Sequence, residues 1–329
     1  GIYTHTVGCQ TFILDLTIIT TFTYNDTINY LGCYTWPVNG VTYSASGLYT
    51  FTTTNTNTGC AETFNLNLTV VQGLKLATKA ILSGPFVTTG IGAGLMHDSL
   101  RVLNQIPATE PYSSAPFNKP QIAGLGGETV SPAVLSVTGA NAIVDWVFVE
   151  LRNPTTPSII VATKRALIQR DGDIVSNVDG VSPVFFAGIP VGNYFVSIKH
   201  RNHLGIMTAS SIYMDDCLNS SFDFTTAAVY SIGGVNPPRK LIGAVNCLWS
   251  ADCNNNKNVK YNGLANDKDF ILAALGGVAN ASLNNVYRVE DANMDGKIRY
   301  NNTDNDRMII INNIGVSTPN NIINQHTPN

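Results

Sequence analysis

Charged side chains are scarce in this sequence. Lys, Arg, Asp and Glu make up 12% of its 329 residues, and the formal net charge is −3. Without a basic excess, the chain has no electrostatic surface for nucleic acid and no polybasic membrane signal. It also lacks an apolar run of about 18 residues, the length that a membrane-spanning helix needs. We therefore expect neither a nucleic-acid partner nor a membrane span, and the 44% of apolar residues argues against disorder.

The sequence motifs of common active sites are missing as well. There is no Gly-x-Ser-x-Gly elbow, no zinc-protease helix and no Walker loop. The stretch "GIGAGL" at residues 90–95 has the glycine density of a phosphate loop but lacks the following Gly-Lys-Ser/Thr, so we interpret it as a flexible loop. We predict no catalytic residue and no enzyme activity, although paired carboxylates could still meet in three dimensions, as in a glycosidase.

Two other polar stretches have structural interpretations. His200 and His203 in "HRNH" lack the helical spacing and the intervening Glu of a zinc motif. We interpret them as side chains that hydrogen-bond to a neighbouring loop. Asp171 and Asp173 in "RDGDIV" predict a turn.

The six cysteines carry information about the compartment. Cys9, Cys33 and Cys60 lie in Thr-rich segments, with no second Cys, His or Asp at metal-binding spacing. This favours disulfides and an oxidising, extracellular environment. The alternative is that they are buried thiols.

The first third contains an internal repeat. "GIYTHTVGCQTFILDLTI" and "GLYTFTTTNTNTGCAETFNLNLTV" share Gly-x-Tyr-Thr-x-Thr, then Gly-Cys, then Thr-Phe-x-Leu-x-Leu-Thr. Apolar residues alternate with polar ones in both copies, which predicts strands with one apolar face. These residues are Phe12, Leu14, Leu16 and Ile18 in the first copy, and Phe64, Leu66, Leu68 and Val70 in the second.

One complete module is predicted between about residues 31 and 71. Asn39 and Gly40 in "WPVNGVTYSASGLYTF" are a turn pair that tolerates positive φ, which indicates a hairpin. Because so small a unit has little core, we predict a disulfide between Cys33 and Cys60. Cys9 is then left over, and we expect its partner in an upstream module of a longer repetitive chain.

The middle of the chain is rich in strand signals. β-Branched or aromatic runs separated by Gly, Pro and Asn predict an immunoglobulin-like β-sandwich over residues 73–240. A short helix is predicted in "HDSLRVLNQI". The strand-forming runs are "AIVDWVFVELR", "SIIVATKRALIQ", "SPVFFAG" and "GNYFVSIKHR".

The last third, residues 241–329, contains a duplication. "ADCNNNKNVKYNGLANDKDFIL" aligns with "EDANMDGKIRYNNTDNDRMIII" at a constant offset of 291 − 252 = 39 residues. Asp and Asn at alternate positions supply the hard oxygen ligands that calcium prefers, because such side chains converge on one centre. The sequence therefore predicts two calcium loops. The alternative is a pair of Asx-turn loops held only by their own hydrogen bonds.

The predicted ligands occupy equivalent positions in the two loops. Position 12 of the second loop, where the last acidic ligand is expected, is Asn302. We therefore assign this ligand to Asp306, after a four-residue insertion, with Asp304 as the alternative. We expect Ile298 to tie its loop to the twin, and "FILAAL" and "MIIINNI" to leave as helices. The ligand sets are Asp252, Asn254, Asn256, Asn258 and Asp267 in the first loop, and Asp291, Asn293, Asp295, the carbonyl of Lys297 and Asp306 in the second.

The first loop is the poorer of the two. Asn256 stands where the second loop has Asp295, and Lys257 stands where it has Gly296. We therefore expect the first loop to bind calcium more weakly or to be vacant.

Residues 248–315 resemble a dockerin module, through "DANMDGKI" and the duplicated loops. The resemblance implies two calcium loops, each followed by a helix, with the helices packed antiparallel. The predicted fold is thus mainly β: repeat modules over residues 1–72, the sandwich, and a small helical calcium-binding module.

Most of the chain resembles segments of large secreted surface proteins of Bacteroidota. The resemblance is carried by "YTWPVNGVTY", "GCQTFILDLT", "ANAIVDWVFVELR", "ALIQRDGDIV" and "HRNHLGIMTAS". It implies export by a type 9 route and a location outside the cell or at its surface. The ending "NNIINQHTPN" departs from the pattern, because it does not look like a sorting tail.

These observations lead to competing hypotheses for the function. The first is a structural or adhesive protein that associates into a homo-oligomer or filament and is stiffened by calcium, without catalysis. The second is a carbohydrate-binding or enzyme-associated module, with surface polysaccharide or an enzyme as its partner. The third is a calcium-dependent hydrolase.

Overall fold

A computed structural model describes residues 2–15, 21–114, 126–234 and 236–328. Strands account for 40% of the chain and helices for 9%, so the prediction of a mainly β protein is confirmed. The chain forms two compact units, Gly1–Gln72 and Gly73–Asn329. The further boundary near residue 240 stays a prediction. None of the described helices is long and apolar enough to span a bilayer.

The first unit is built from Thr-rich strands with one apolar face. Leu66 and Leu68 lie on that face and are buried under Trp36. Gly40 has a φ of +70° in the turn after Trp36, where a hairpin was predicted. Leu16 and Ile18 lie outside the described residues. The strands are β1 (Ile2–Val7), β2 (Gln10–Asp15), β3 (Phe22–Leu31), β4 (Tyr34–Thr35), β5 (Thr42–Tyr43), β6 (Gly47–Thr54) and β7 (Ala61–Val71).

The repeat in sequence is also a repeat in strand register. β1 and β2 form an antiparallel hairpin in which Tyr3 pairs with Leu14. β6 and β7 form the second hairpin, in which Tyr49 pairs with Leu66. These four residues are equivalents in the aligned copies. The two hairpins differ in their neighbours. β7 also pairs with β3 in parallel, so the second hairpin belongs to a three-stranded sheet.

The predicted disulfide between Cys33 and Cys60 is wrong. Cys33 and Cys217 are the disulfide-bonded cysteines. Cys60 carries a thiol, and its Sγ lies 3.8 Å from the carbonyl oxygen of Thr58. Cys9, at the position equivalent to Cys60, is a thiol as well.

The direction of β3 explains this error. Because β3 is parallel to β7, Leu31 at its end pairs with Val71 at the end of β7. Cys33 follows Leu31, whereas Cys60 precedes the opposite end of β7. Roughly ten strand residues at about 3.3 Å each separate these two ends, and a disulfide needs Cα atoms within about 7 Å.

The second unit contains a nine-stranded sheet in the order β12-β8-β11-β10-β9-β13-β14, with β15 pairing with β13 and β16 with β8. The four predicted strand runs are confirmed as β9, β10, β12 and β13. All neighbours are antiparallel except β16, which is parallel to β8. The strands are β8 (Gly73–Lys79), β9 (Ile143–Arg152), β10 (Ile160–Gln169), β11 (Asp173–Val175), β12 (Val184–Ala187), β13 (Gly192–Lys199), β14 (Ile206–Met207), β15 (Ile212–Met214) and β16 (Asn219–Asp223).

In the described part of the segment between β8 and β9, the chain forms three short helical turns. The predicted helix in "HDSLRVLNQI" is confirmed as a single turn. The turns are α1 (Ser99–Val102), α2 (Pro132–Leu135) and a 3-10 turn at Gly139–Asn141.

The last part of the unit has its own apolar core, which includes Val259, Ile271, Ile298 and Ile310. The two predicted helices are confirmed. Each begins after an Asn whose side chain caps the helix by accepting a backbone N–H bond, as N-cap residues do. The elements are β17 (Lys240–Ile242), β18 (Val245–Cys247), β19 (Asn258–Lys260), α3 (Asp267–Ala274), β20 (Ser282–Asn284), β21 (Lys297–Arg299), α4 (Asp306–Ile314) and β22 (Ile322–Asn324).

Candidate metal centre

Residues 291–306 form a loop whose side-chain oxygens point inward. The two carboxylate oxygens of Asp291 accept hydrogen bonds from the backbone N–H groups of Asp295, at 3.1 Å, and Gly296, at 2.9 Å. Asn293 Oδ1 accepts from the same Asp295 N–H at 3.0 Å. Since one N–H group serves both residues, their oxygens lie close together. Positions 1 and 3 of the predicted calcium loop are therefore brought together.

Asp306, and not Asp304, closes this loop. Asp306 is the first residue of α4 and is fully buried. Its carboxylate accepts from the backbone N–H groups of Ala292, at 2.7 Å, and Arg299, at 2.8 Å. Asp304 is exposed and contributes its backbone carbonyl, which accepts from Asn293 Nδ2 at 3.1 Å. The four-residue insertion thus displaces the closing acid along the chain without removing it.

Residues 252–267 repeat this geometry. Asp252 accepts from the backbone N–H groups of Asn256, at 3.0 Å, and Lys257, at 3.1 Å. Asp267, the first residue of α3, accepts from those of Cys253, at 2.8 Å, and Lys260, at 2.7 Å. Each of these bonds has its counterpart 39 residues further on (291 − 252 = 39). The aligned pattern therefore corresponds to one loop structure built twice.

The backbone conformations of the two loops agree at the positions that side chains disfavour. Position 4 of both loops has a positive φ, 56° at Asn255 and 63° at Met294. Position 6 also has one, 69° at Lys257 and 78° at Gly296. L-residues adopt the left-handed region at a cost of roughly 1–2 kcal/mol. The first loop keeps the same turn although it lacks the glycine.

The buried acids of both loops have raised pKa values. Burial raises the pKa of Asp291 to about 7 and that of Asp267 to about 8. For Asp306, burial and then the nearby Asp291 raise the pKa well above its usual range. Among the described residues, no Lys or Arg nitrogen lies within 4.0 Å of a carboxylate oxygen of these three acids. When they ionise, these carboxylates therefore have no close ion pair, and Arg201 lowers the pKa of Asp291 only from a longer distance.

The donor set suits a hard dication. The second loop offers carboxylate oxygens from Asp291, Asp295 and Asp306, and the amide oxygen of Asn293. Carboxylate, amide and carbonyl oxygens are the ligands that calcium takes. The set is loosely spaced: within the described ranges, no three acids of either loop bring oxygens within 4.8 Å of one another. The first loop has only two acids, because Asn256 stands in place of Asp295.

The two loops share a core but do not pair as strands. Ile298 in β21 pairs with Leu283 in β20, and Val259 in β19 pairs with Ile323 in β22. Ile298 and Val259 therefore lie in separate strand pairs. Ile298 and Val259 are nonetheless buried in the same apolar cluster, and α3 contacts α4.

Asn202 joins both loops, and sequence reasoning did not assign it this role. Its Nδ2 donates to the backbone carbonyl of Asp291 at 2.6 Å and to that of Val289 at 3.2 Å. Its own carbonyl accepts from the backbone N–H of Asp252 at 3.2 Å. The fully buried Asn202 thus binds position 1 of the second loop through its side chain and position 1 of the first loop through its backbone carbonyl. The "HRNH" stretch that contains it was the available signal.

Buried polar residues connect Asn202 to the large sheet. Arg201 Nε donates to the carboxylate of Asp145 at 2.9 Å, and the hydroxyl of Tyr287 donates to the same carboxylate at 2.6 Å. Burial alone would raise the pKa of Asp145, but Arg201 and His200 bring it to about 2. Because Asp145 lies in β9, the loops are attached to an interior strand of the sheet.

The other polar stretches make structural contacts or form turns. His203 Nε2 accepts from the backbone N–H of Gly84 at 3.1 Å, and His200 Nε2 lies 3.1 Å from Asp145. Both histidines are buried; His203 bonds to a loop, as predicted, whereas the partner of His200 lies in β9. Residues 170–171 form a turn between β10 and β11, so Asp171 lies in a turn as predicted, whereas Asp173 is the first residue of β11. Residues 91–94 also form a turn.

Comparison of the chain with protein-family models, with curated proteins and with solved structures found no match.

Proposed function

We propose that this chain is an extracellular structural or adhesive protein whose last third is stiffened by calcium bound in the twin loops. One observation carries the proposal: Asp291 and Asp306 are 0% exposed, and among the described residues no Lys or Arg nitrogen lies within 4.0 Å of either carboxylate, Arg201 acting on Asp291 only from a longer distance. Buried carboxylates without a counter-charge are costly. A bound dication removes this cost, because it supplies the missing positive charge.

In the proposed site, Asp291, Asn293, Asp295, the Lys297 carbonyl and Asp306 would hold the ion in the second loop. Backbone N–H groups already orient the carboxylates of Asp291 and Asp306, so their oxygens are fixed before an ion arrives. Each closing acid is also the first residue of a helix. Holding the loops together therefore holds α3 and α4 against their shared core.

We assign a stabilising role to calcium rather than a catalytic one. Asp291 and Asp306 are buried and accept hydrogen bonds from the chain's own N–H groups, so substrate has no direct route to these two acids. The fully buried Asn202 binds both loops, and the bonds of Arg201 and Tyr287 to Asp145 continue this connection into the sheet. Ordering of the loops would thus stiffen the connection between the last third and the sheet.

The finer fold assignments belong to the same proposal. We propose that the nine-stranded sheet belongs to an immunoglobulin-like sandwich, which its mostly antiparallel order supports. We also propose that residues 248–315 are a dockerin-like module, supported by the two loop-helix units. The disulfide-bonded cysteines favour an oxidising location outside the cell. Trp36, Trp146 and Trp249 are all buried, so no tryptophan side chain is exposed to stack on a sugar, as the carbohydrate-binding alternative would favour.

The proposal is tested by thermal unfolding of the full chain with calcium and in calcium-free buffer. Calcium at about 100 times its dissociation constant stabilises a folded state by about 2.7 kcal/mol. For a unit as large as Gly73–Asn329, this corresponds to a rise in Tm of roughly 5–11 °C. Magnesium at the same concentration is the control, and it should shift Tm less. An unchanged transition in calcium would overturn the proposal.

A further inference from the structure

The β1–β2 hairpin exposes apolar side chains that its structural counterpart buries. Phe12 is 58% exposed and Leu14 is 59% exposed, whereas Leu66, the equivalent of Leu14, is 0% exposed. The two hairpins have the same register. Their difference in burial therefore comes from what covers them and not from their own conformation.

Two elements cover the counterpart hairpin. β3 runs parallel to β7 over ten residue pairs, from Phe22 with Glu62 to Leu31 with Val71. The hairpin that carries Trp36 then follows, and Trp36 packs on the buried face with Leu66. Residues 22–43 are thus the segment that converts an open hairpin into a closed module.

The corresponding edge of the first hairpin is open. In the part of the chain that the structure describes, β2 pairs with β1 alone. Its other edge corresponds to the edge of β7 that accepts β3. An edge strand with unpaired N–H and C=O groups, beside an exposed apolar face, is a template for strand addition.

We propose that the β1–β2 hairpin binds the leading segment of a further repeat module, which adds a strand parallel to β2 and covers Phe12 and Leu14 with a tryptophan-bearing hairpin. The occupant has the chemistry of residues 22–43. The internal duplication is the basis for this choice, because it shows what covers the same face in the second copy. The β3 of a second copy of this chain is already engaged with its own β7, so that copy is not the occupant.

The register also specifies the side chains of the occupant. Tyr24 stacks on Phe64 with ring centroids 4.8 Å apart, and Phe12 is the equivalent of Phe64. The occupant therefore carries an aromatic residue opposite Phe12. Its residues on the other face are Thr- or Asn-like, as Thr23 and Asn25 are in β3.

The test uses the full chain and a labelled synthetic peptide of residues 22–43 with Cys33→Ser, which prevents disulfide exchange. Saturable binding is expected by fluorescence anisotropy. The chain variant Phe12→Asn/Leu14→Asn should bind the peptide at least ten-fold more weakly. Leu48→Asn, at a residue that is 81% exposed on β6, is the matched control and should bind like the parent chain.

The peptide supplies a second comparison that does not depend on the folding of chain variants. A Tyr24→Asn peptide should bind at least ten-fold more weakly, whereas a Thr23→Asn peptide should bind like the parent. No binding at about 100 µM peptide, or equal binding by all variants, would overturn the proposal. Dimerisation of the chain that the Phe12 and Leu14 substitutions abolish would overturn it too, since a second copy would then be the occupant.

This proposal extends the structural role but uses none of the calcium-loop residues. Peptide binding should therefore be the same with and without calcium. Loss of the calcium effect on Tm with peptide binding intact would reject the proposed function alone, and the converse result would reject this inference alone.

Discussion

The two loops differ in backbone strain at Lys257. It has a φ of +69°, at the position where the second loop uses Gly296. A side chain in this conformation is strained, whereas glycine is not. The first loop therefore keeps its turn at the expense of stability.

We expect Lys257→Gly to stabilise the calcium-free chain by about 1 kcal/mol, because the substitution relieves this strain. Urea unfolding measures the change. Gly296→Ala is the matched opposite: its Cβ would lie 2.6 Å from Leu103 Cδ1, at a φ of +78°, so it should destabilise. If both substitutions change stability in the same direction, the strain argument is wrong.

Asp306 and Asp304 can be distinguished by paired substitutions. Asp306→Asn should weaken calcium binding at the second loop at least ten-fold, about 1.4 kcal/mol, because it removes a buried ligand charge. Calcium titration followed by calorimetry measures this. Asp304→Asn should leave the affinity unchanged, since Asp304 is exposed and contributes only its backbone. Equal losses in both variants would contradict the assignment of the closing acid.

At the scale of elements, attachment of the loops depends on Asn202. We expect Asn202→Ala to destabilise the chain by about 2–3 kcal/mol, because it leaves the buried carbonyl of Asp291 and the part-buried carbonyl of Val289 without this donor. Chemical unfolding monitored by fluorescence tests this. Asn312→Ala, at an exposed position of α4, is the control and should have almost no effect. A similar small effect at Asn202 would show that the loops are held in another way.

The elements that could be predicted are those fixed by local sequence. Alternation predicted β7, β-branched and aromatic runs predicted β9 and β10, and apolar runs after acid-rich turns predicted α3 and α4, because such patterns act within a few residues. The strand partners could not be predicted. β3 pairs with β7 through residues that are about 40 positions apart in sequence. Because the direction of β3 relative to β7 was not known, the disulfide between Cys33 and Cys60 was predicted incorrectly. Asn202 escaped prediction for the same reason, since its partners lie 50 and 89 residues away.

For the whole molecule, the raised pKa values make stability depend on pH in a specific direction. In the unfolded chain the pKa of Asp is about 3.9. In the folded chain the pKa of Asp291 is raised to about 7 and that of Asp267 to about 8. Between these values the folded state holds more protons, so calcium-free stability falls as pH rises.

We therefore expect the contribution of these acids to lower Tm in calcium-free buffer between pH 5 and pH 8. The increase in Tm caused by calcium should grow over the same range, because the ion competes with protons for the carboxylates. Differential scanning calorimetry at matched ionic strength measures both. A calcium effect that is largest at pH 5 would contradict the participation of these acids.

The parallel pairing of β3 with β7 has a mechanical consequence. The chain enters the module at Phe22 and leaves it at Val71, at opposite ends of the paired strands, which span about 33 Å at 3.3 Å per residue. A pull applied between these two points loads all ten residue pairs in shear at the same time. Rupture then requires many hydrogen bonds to fail together, whereas a hairpin pulled from its open end unzips one bond after another.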